Sequence, residues 1–373
     1  MQKIKVAQFV GSMNCGGTET MLMNVFKKFN KDKYEFTFIV NINEKGWYDD
    51  EILAHNGNIV RIKKIEEIGA GKYIKYLTKI FKDGNYDVIH SHTFLHSGFV
   101  MKAAKNAGIK IRIAHSHSAM DHFEKNLKYK LKKLFLQKMI IKNASHIIAC
   151  STEAGECLFG EKFKKKGIVL KNPVRIQEIE NIASDIENIN NLKEKYNIMD
   201  GQLVIGHIGR FVDIKNHKFL LQIAKEMKKR NIQFKMFFIG DGENFENIKN
   251  QVDELNLDDC IVFTGNIKNV YEYINIFDIF LLPSLYEGLP LTAIEAQGFD
   301  VKCLISDKVS REVDLGIGLV NFLSIDDGVN IWIDKILESD YKKRNIENSI
   351  EALHNNGYSI ESVIKTLEEI YNK

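Results

Sequence analysis

Asp278-Ile279-Phe280-Leu281-Leu282-Pro283-Ser284-Leu285-Tyr286-Glu287-Gly288-Leu289-Pro290-Leu291-Thr292-Ala293-Ile294-Glu295 carries an apolar run into a loop and the loop into a helix. The run at 278–282 reads as a buried parallel strand, and Pro290 suits the first turn of a helix, where its missing N–H costs nothing. Glu287 therefore falls at the strand's carboxyl end. Gly288 lets the backbone at Gly288-Leu289 approach a ligand closely, and the free N–H groups opening the helix point at phosphate oxygens. Glu295 lies more than a turn inside that helix, on the same face as Leu291, and reaches a second part of the same ligand. The plain alternative is a first-turn acid followed by a solvated helix acid.

A second stretch repeats the pattern. Leu203-Val204-Ile205-Gly206-His207-Ile208 is another buried strand, followed by Gly209-Arg210-Phe211-Val212-Asp213-Ile214-Lys215-Asn216-His217 and a helical run from Phe219. Arg210 and Lys215 hang from a loop that begins at Gly209, again at a strand's carboxyl end. Arginine offers a planar fork and lysine a point charge, so the pair suits a diphosphate and its departure as a leaving group. Two ordinary surface cations are the alternative.

Together these segments resemble the retaining GT-B glycosyltransferases of family four, especially bacterial capsule and exopolysaccharide transferases. The resemblance rests on Ser284 through Pro290 with Glu295-Ala296-Gln297, on the Gly209-Arg210 to Lys215-Asn216-His217 loop, and on Gly16-Gly17-Thr18-Glu19. It also rests on Arg112-Ile113-Ala114-His115-Ser116-His117-Ser118 and on the run from Ile305-Ser306-Asp307 to Glu312-Val313-Asp314, and it covers nearly the whole chain. It implies transfer of a hexose-type sugar from a nucleotide-diphosphate donor, UDP before GDP or ADP, to an acceptor hydroxyl with retention at the anomeric carbon. No metal and no cofactor beyond the donor substrate are implied. One departure stands out: where the family carries a small residue, Gly, an apolar residue and Pro, this chain has Phe299-Asp300-Val301-Lys302.

Composition agrees with an enzyme of this kind. At 373 residues the chain exceeds what one core supports, so two domains are expected. The 52 basic and 49 acidic residues nearly balance, which argues against nucleic acid as a partner. Five scattered cysteines, without a CxxC pair, fit a reduced cytoplasmic chain with no disulfide. The first residues run directly into a strand without a signal-peptide pattern, and no apolar stretch reaches the roughly 20 residues of a membrane-spanning helix.

Short apolar strands alternate with amphipathic helices, the signature of parallel α/β sheets. Strands are expected at 5–10, 36–40, 58–62, 87–90, 111–115, 146–149 and 168–170, then at 203–208, 235–239, 261–264, 279–282, 303–306 and 319–322. This predicts two Rossmann-like domains facing across a cleft, the GT-B fold. Residues 1–173 form the first, and the polar stretch 178–192 separates it from the strands of the second, 174–357. By resemblance the first binds the acceptor and the second the nucleotide sugar, while the last helix, 358–373, returns to the first.

The loop Gly11-Ser12-Met13-Asn14-Cys15-Gly16-Gly17-Thr18-Glu19 fails as a P-loop, because Gly17 stands where lysine should follow the second glycine, and it lacks G-x-G-x-x-G. It reads as a glycine pair opening the helix 19–29, with a tight turn of positive φ at Gly16 or Gly17 as the alternative. Resemblance favours contact of Gly16 and Gly17 with donor phosphate or acceptor. His90 and His92 end one strand and His115 and His117 the next, with His96 nearby. H-x-H spacing can hold a metal, but carboxylates are sparse, Asp121 being nearest, and strand ends of a parallel sheet also converge on a ligand crevice. Resemblance gives either His115 or His117 a place at the reaction centre.

Residues 125–143, KNLKYKLKKLFLQKMIIKN, carry seven lysines among apolar residues at helical spacing. They form either a core-packed helix with a solvated side or a patch that binds the anionic inner membrane face, where a lipid-linked or other glycan acceptor would be met. A nucleotide-sugar epimerase on the same fold and an inactive nucleotide-sugar-binding module are the competing readings; release of nucleoside diphosphate only when an acceptor is present separates the transferase from the first, and binding without turnover would mark the second.

Overall fold

The computed structural model describes residues 2–14, 16–118, 126–339, 341 and 345–373. Cys15, Asp121 and Lys125, named above, lie outside them. The chain divides into two units, Met1–Pro173 with Gly357–Lys373, and Val174–Asn356.

In the first unit, strands β1 (Ile4–Val10), β2 (Tyr34–Val40), β3 (Asn58–Arg61), β4 (Val88–Ser91), β5 (Ile111–Ser116), β6 (His146–Ala149) and β7 (Ile168–Val169) form one parallel sheet. Their order is β3-β2-β1-β4-β5-β6-β7. Along β1, Ala7 and Phe9 face one apolar layer and Val6 and Val10 the other, because successive side chains of a strand point to opposite faces. Helices Ala70–Asp83, Ser97–Asn106 and Leu127–Asn143 cover the first face, and Gly17–Lys28 and Ile360–Tyr371 the second. Val363, Leu367, Ile370 and Tyr371 are buried in that second layer, so the last helix is part of this unit's core.

The second unit repeats the plan. Strands β8 (Leu203–Ile208), β9 (Phe234–Ile239), β10 (Ile261–Gly265), β11 (Ile279–Leu282), β12 (Lys302–Ser306) and β13 (Val320–Leu323) order as β10-β9-β8-β11-β12-β13. All thirteen expected strands are present, with ends shifted by at most two residues. In both sheets the winding reverses once, between β1 and β4 and between β8 and β11. Loops leaving those two strands diverge, and the crevice between them is where ligands bind in folds of this class.

The stretch 178–192 stands between β7 and the strands of the second unit, as expected, and it is helical. It lies within helices Ile176–Ala183 and Ile186–Lys195, which belong to the second unit. Ile176, Ile179 and Leu192 are buried there, and three apolar anchors at helical spacing suffice to dock an otherwise polar segment.

The Phe299-Asp300-Val301-Lys302 turn has a physical account. Asp300 lies in the left-handed region at φ 57°, where glycine has no steric cost and aspartate a modest one. Its Oδ2 accepts from the Asn345 N–H at 2.6 Å and its Oδ1 from the Ser349 hydroxyl at 3.0 Å, at the start of helix Ile346–Asn355. The carboxylate thus offsets the strained turn by holding a helix N-terminus, where negative charge is favoured. Asp300→Ala keeps the strain and loses both bonds, so we expect it to lower unfolding free energy by about 2 kcal/mol, and Asp300→Gly to lower it by less. Urea denaturation at equilibrium checks the order of the three proteins.

Candidate active site

β8 and β11 are neighbours, with Ile205 opposite Ile279 and Gly206 opposite Phe280, so the loops that follow them start side by side, and bonds between the two loops bridge the crevice. Lys215 Nζ donates to Glu287 Oε1 at 2.8 Å, with side chains 16% and 15% exposed. The Ser284 hydroxyl donates to the same oxygen. Asn216 makes the turn possible: it sits at φ 55°, a conformation asparagine tolerates, and its Nδ2 donates to the Pro283 carbonyl at 3.1 Å. The Leu285 N–H closes the stitch on the Ile214 carbonyl at 2.8 Å.

Arg210 is exposed, and among the described residues no ion pair or side-chain hydrogen bond engages its guanidinium. Its loop is braced from below by Gly240-Asp241-Gly242, which follows β9 and which the sequence reading passed over. Gly209 N–H donates to the Ile239 carbonyl and Phe211 N–H to that of Asp241, both at 3.0 Å. Gly240 has φ 135°, and a β-carbon there would lie 2.2 Å from the Gly209 carbonyl oxygen. Only glycine fits. A Gly-x-Gly pair directly after an apolar run was a readable signal.

Glu295 belongs to a different group. The Tyr271 hydroxyl donates to its Oε1 at 3.0 Å, and the Arg175 guanidinium lies 4.3 Å above the Tyr271 ring. Burial pushes the Glu295 carboxyl up to about 7, against the opposing pull of the Tyr271 hydroxyl and the Arg175 charge. Neither Tyr271 nor Arg175 was expected, and 96 residues separate them, beyond any local pattern. Gly288 and Leu289 lie between the two acids, and their N–H groups have no partner among the described residues.

The first unit gathers its histidines. His90 and His92 end β4 and continue past it, and His115 and His117 do the same for β5. Neighbouring rings lie 4.0 to 5.4 Å apart between centroids. His90 Nε2 meets His115 Nδ1 at 3.2 Å, and His92 Nδ1 meets His117 Nε2 at 2.8 Å. His90, His92 and His115 present nitrogens within 4.8 Å of one another, a spacing that could hold a metal. Against that, His90 and His92 each use both ring nitrogens in hydrogen bonds, the other contacts being Tyr371 Oη and Gln8 Oε1, each at 2.8 Å. Burial holds His90, His92 and His115 well below the usual imidazole range and His117 at about 4, with Asn172 beside His117 acting in the opposite sense. All four are neutral at physiological pH. His115 is buried and His117 half-buried. Phe94, just after this strand end, is held at φ 48°, a costly conformation for a bulky residue.

Gly16 is extended, at φ −162°, and Gly17 begins helix Gly17–Lys28. The expected alternative of positive φ at either is therefore not what the loop adopts. A β-carbon at Gly16 would instead lie 2.5 Å from Glu19 Oε2.

The raised Glu295 carboxyl has a consequence for stability. An acid whose folded pKa is about 7 against an ordinary 4.5 keeps its proton on folding, so the unfolded chain binds fewer protons between those values. Stability then falls as pH rises through that window and levels off above it. Glu295→Gln should remove this part of the slope, and urea midpoints at pH 5 and pH 8 would show it; identical slopes in both proteins would refute the assignment.

Two family models match the chain: Glycosyltransferase Family 4 over residues 15–178 and Glycosyl transferases group 1 over residues 188–315. A Bacillus subtilis (strain 168) protein named putative glycosyltransferase EpsF is 33% identical over 370 residues, 99% of this chain and 96% of that protein. A Staphylococcus aureus protein named capsular polysaccharide biosynthesis glycosyltransferase CapH is 31% identical over 79% of this chain and 78% of its own length. An Escherichia coli UDP-Gal:alpha-D-GlcNAc-diphosphoundecaprenol alpha-1,3-galactosyltransferase is 25% identical over 99% and 97% of the two chains. Among solved structures, Anabaena HepE in complex with UDP and glucose shares the fold at a TM-score of 0.78 and 16% identity, over 99% of this chain and 100% of that one. Two parallel α/β units of this topology, matched by both models and by a full-length relative, establish that the chain belongs to the group 1 and family 4 glycosyltransferases of GT-B fold.

Proposed function

We propose that this glycosyltransferase moves a hexose from a UDP-sugar to a hydroxyl of a cell-surface polysaccharide precursor, with retention and without a metal. The observation that carries this reading is the Lys215–Glu287 pair at the β8/β11 switch point, with Arg210 exposed on the same loop as Lys215. A diphosphate would take Arg210 and Lys215 as its cations and the N–H groups at Gly288 and Leu289 as donors, with the backbone at Gly209 close by. Glu287, released from Lys215 or sharing it, holds the donor sugar, and Glu295 holds the ribose hydroxyls. His117, with His115 behind it, faces the reaction centre, and Gly16 and Gly17 touch donor phosphate or acceptor. Relatives named for UDP-galactose transfer and for capsular polysaccharide support the substrate class. Departure of the diphosphate on the face that the acceptor attacks accounts for retention without a carboxylate nucleophile.

A thermal-shift screen of nucleotide sugars tests the donor, since a ligand at 100 times its Kd adds about 2.7 kcal/mol. With the donor known, Arg210→Ala and Lys215→Ala should each lower turnover by 100- to 1,000-fold, on the order of 2.7 to 4 kcal/mol of lost leaving-group stabilisation. Wild-type turnover in both variants would end the assignment.

The acceptor is a lipid-linked saccharide at the inner membrane face. Among the described residues no helix is long and apolar enough to cross a membrane. Helix Leu127–Asn143 instead has two apolar faces: Leu136 and Ile140 are buried, while Leu127, Leu131, Leu134 and Phe135 are 53 to 72% exposed. Lys128, Lys130, Lys132 and Lys138 are exposed around that outer stripe. Each lysine near an anionic surface contributes about 1 kcal/mol, and the stripe inserts shallowly. Co-sedimentation should show binding to phosphatidylglycerol vesicles that weakens with salt and is lost in Leu131→Asp/Phe135→Asp. Equal binding to neutral vesicles, or none at low salt, would leave the stripe without this role.

A further inference from the structure

Gln8 lies at the centre of the first unit's histidines, on the face of β1 that meets helix Ile360–Tyr371, and its two amide ends do different work. Its Nε2 donates to Tyr371 Oη at 3.2 Å. The Tyr371 hydroxyl, with that lone pair engaged, spends its own proton on His90 Nδ1 at 2.8 Å. His90 must then carry its proton on Nε2, which donates to His115 Nδ1 at 3.2 Å and leaves His115 with a proton on Nε2. At the other end, Gln8 Oε1 accepts only, so His92 donates to it from Nε2 at 2.8 Å. His92 Nδ1 is left as an acceptor and takes the proton of His117 Nε2 at 2.8 Å, which leaves His117 with a lone pair on Nδ1. The nitrogens at the ends of these chains are His115 Nε2, buried without a partner, and His117 Nδ1, which Asn172 approaches without closing a well-aligned hydrogen bond.

We propose that Gln8 and Tyr371 are positioning residues for sugar transfer: they fix the tautomers of His90 and His92, and through them make His117 an acceptor and His115 a donor. One asymmetric amide dictates both arms. The two ring centroids lie 4.0 Å apart, and one ring that accepts with a neighbouring ring that donates matches a sugar hydroxyl, which gives one hydrogen bond and takes another. The proposal rests on the placing of His115 and His117 at the reaction centre. Asn172 is the group that would favour the opposite order, because its Oδ1 is also buried without a partner and would accept a proton from His117 Nδ1. With Gln8 turned over, every bond in both arms reverses.

Nitrogen-15 NMR of the full chain with labelled histidine reads the arrangement directly. All four rings should be Nε2–H tautomers in the free protein; Nδ1–H rings at His92 and His117 would overturn the proposal in favour of the Asn172-directed order. Gln8→Glu, measured above the new carboxylate's pKa, replaces the donor end by a second acceptor. His92 and His117 should then stay Nε2–H while Tyr371 turns its proton to the carboxylate and His90 and His115 switch to Nδ1–H. Tyr371→Phe keeps the packing, and should leave His90 and His115 in mixed tautomers with turnover down roughly tenfold or more and the donor KM within about twofold. A residue that only holds the last helix in place would lower the melting temperature and move no tautomer. Unchanged tautomers in both variants, or unchanged turnover with tautomers switched, would sink the positioning role. If His117→Ala alone retained full transfer while the tautomers still switched, the failure would lie in the placing of the histidines at the reaction centre.

Discussion

The 2.8 Å contact between Lys215 and Glu287 ties together loops 72 residues apart, and the arrangement of the second unit's crevice follows from it. Neither charge is fully solvated, so each needs the other, and the pair contributes less to net stability than to a single loop geometry. It exists because β8 and β11 are adjacent parallel strands whose connections leave in opposite directions. The Asn216 turn, the Ser284 hydroxyl and the Leu285 to Ile214 bond all act on the same two loops. Removing either charge would leave the other half-buried beside a loop built around it, while Arg210, outside this lattice, stays available to a ligand.

Much of this was legible in the sequence. Strands of a parallel sheet are buried on both faces and appear as unbroken apolar runs, so 203–208 was placed to the residue and 279–282 to within one, and loops with Arg210 and Glu287 followed. Helical segments with few anchors were harder. Residues 176–195 look polar because only Ile176, Ile179 and Leu192 reach the core, and a composition window averages them away. The helix at Leu127–Asn143 defeats a one-face reading, since its buried and exposed apolar stripes lie on opposite sides. Contacts that join distant segments carried no signal at all: Gln8 with Tyr371 spans 363 residues, and Arg175 with Tyr271 spans 96. Such pairs are specified by topology, which local periodicity does not encode.

The Asp300 turn shows how a family pattern can be lost without loss of the fold. A glycine meets the requirement for positive φ by having no side chain. An aspartate meets it at a cost and offsets that cost with bonds to Asn345 and Ser349. The two solutions differ in what else they constrain, because the aspartate makes the packing of helix Ile346–Asn355 depend on the turn that precedes β12.

The two units share one topology and use it for opposite electrostatic ends. At the second unit's switch point the side chains are Arg210, Lys215 and Glu287, ionised groups that suit a ligand carrying charge. At the first unit's switch point they are four imidazoles, which burial keeps neutral. Neutral rings gain little from a phosphate but discriminate strongly by hydrogen-bond direction, since a buried donor or acceptor left unmet costs about 1 to 3 kcal/mol. The proposed function accordingly gives a donor diphosphate to the second unit, and hydroxyl groups, whose recognition depends on direction rather than charge, to the first. That division explains why the last helix is spent on the first unit: direction must be fixed by partners that cannot rotate, and Tyr371, buried in the core, is such a partner.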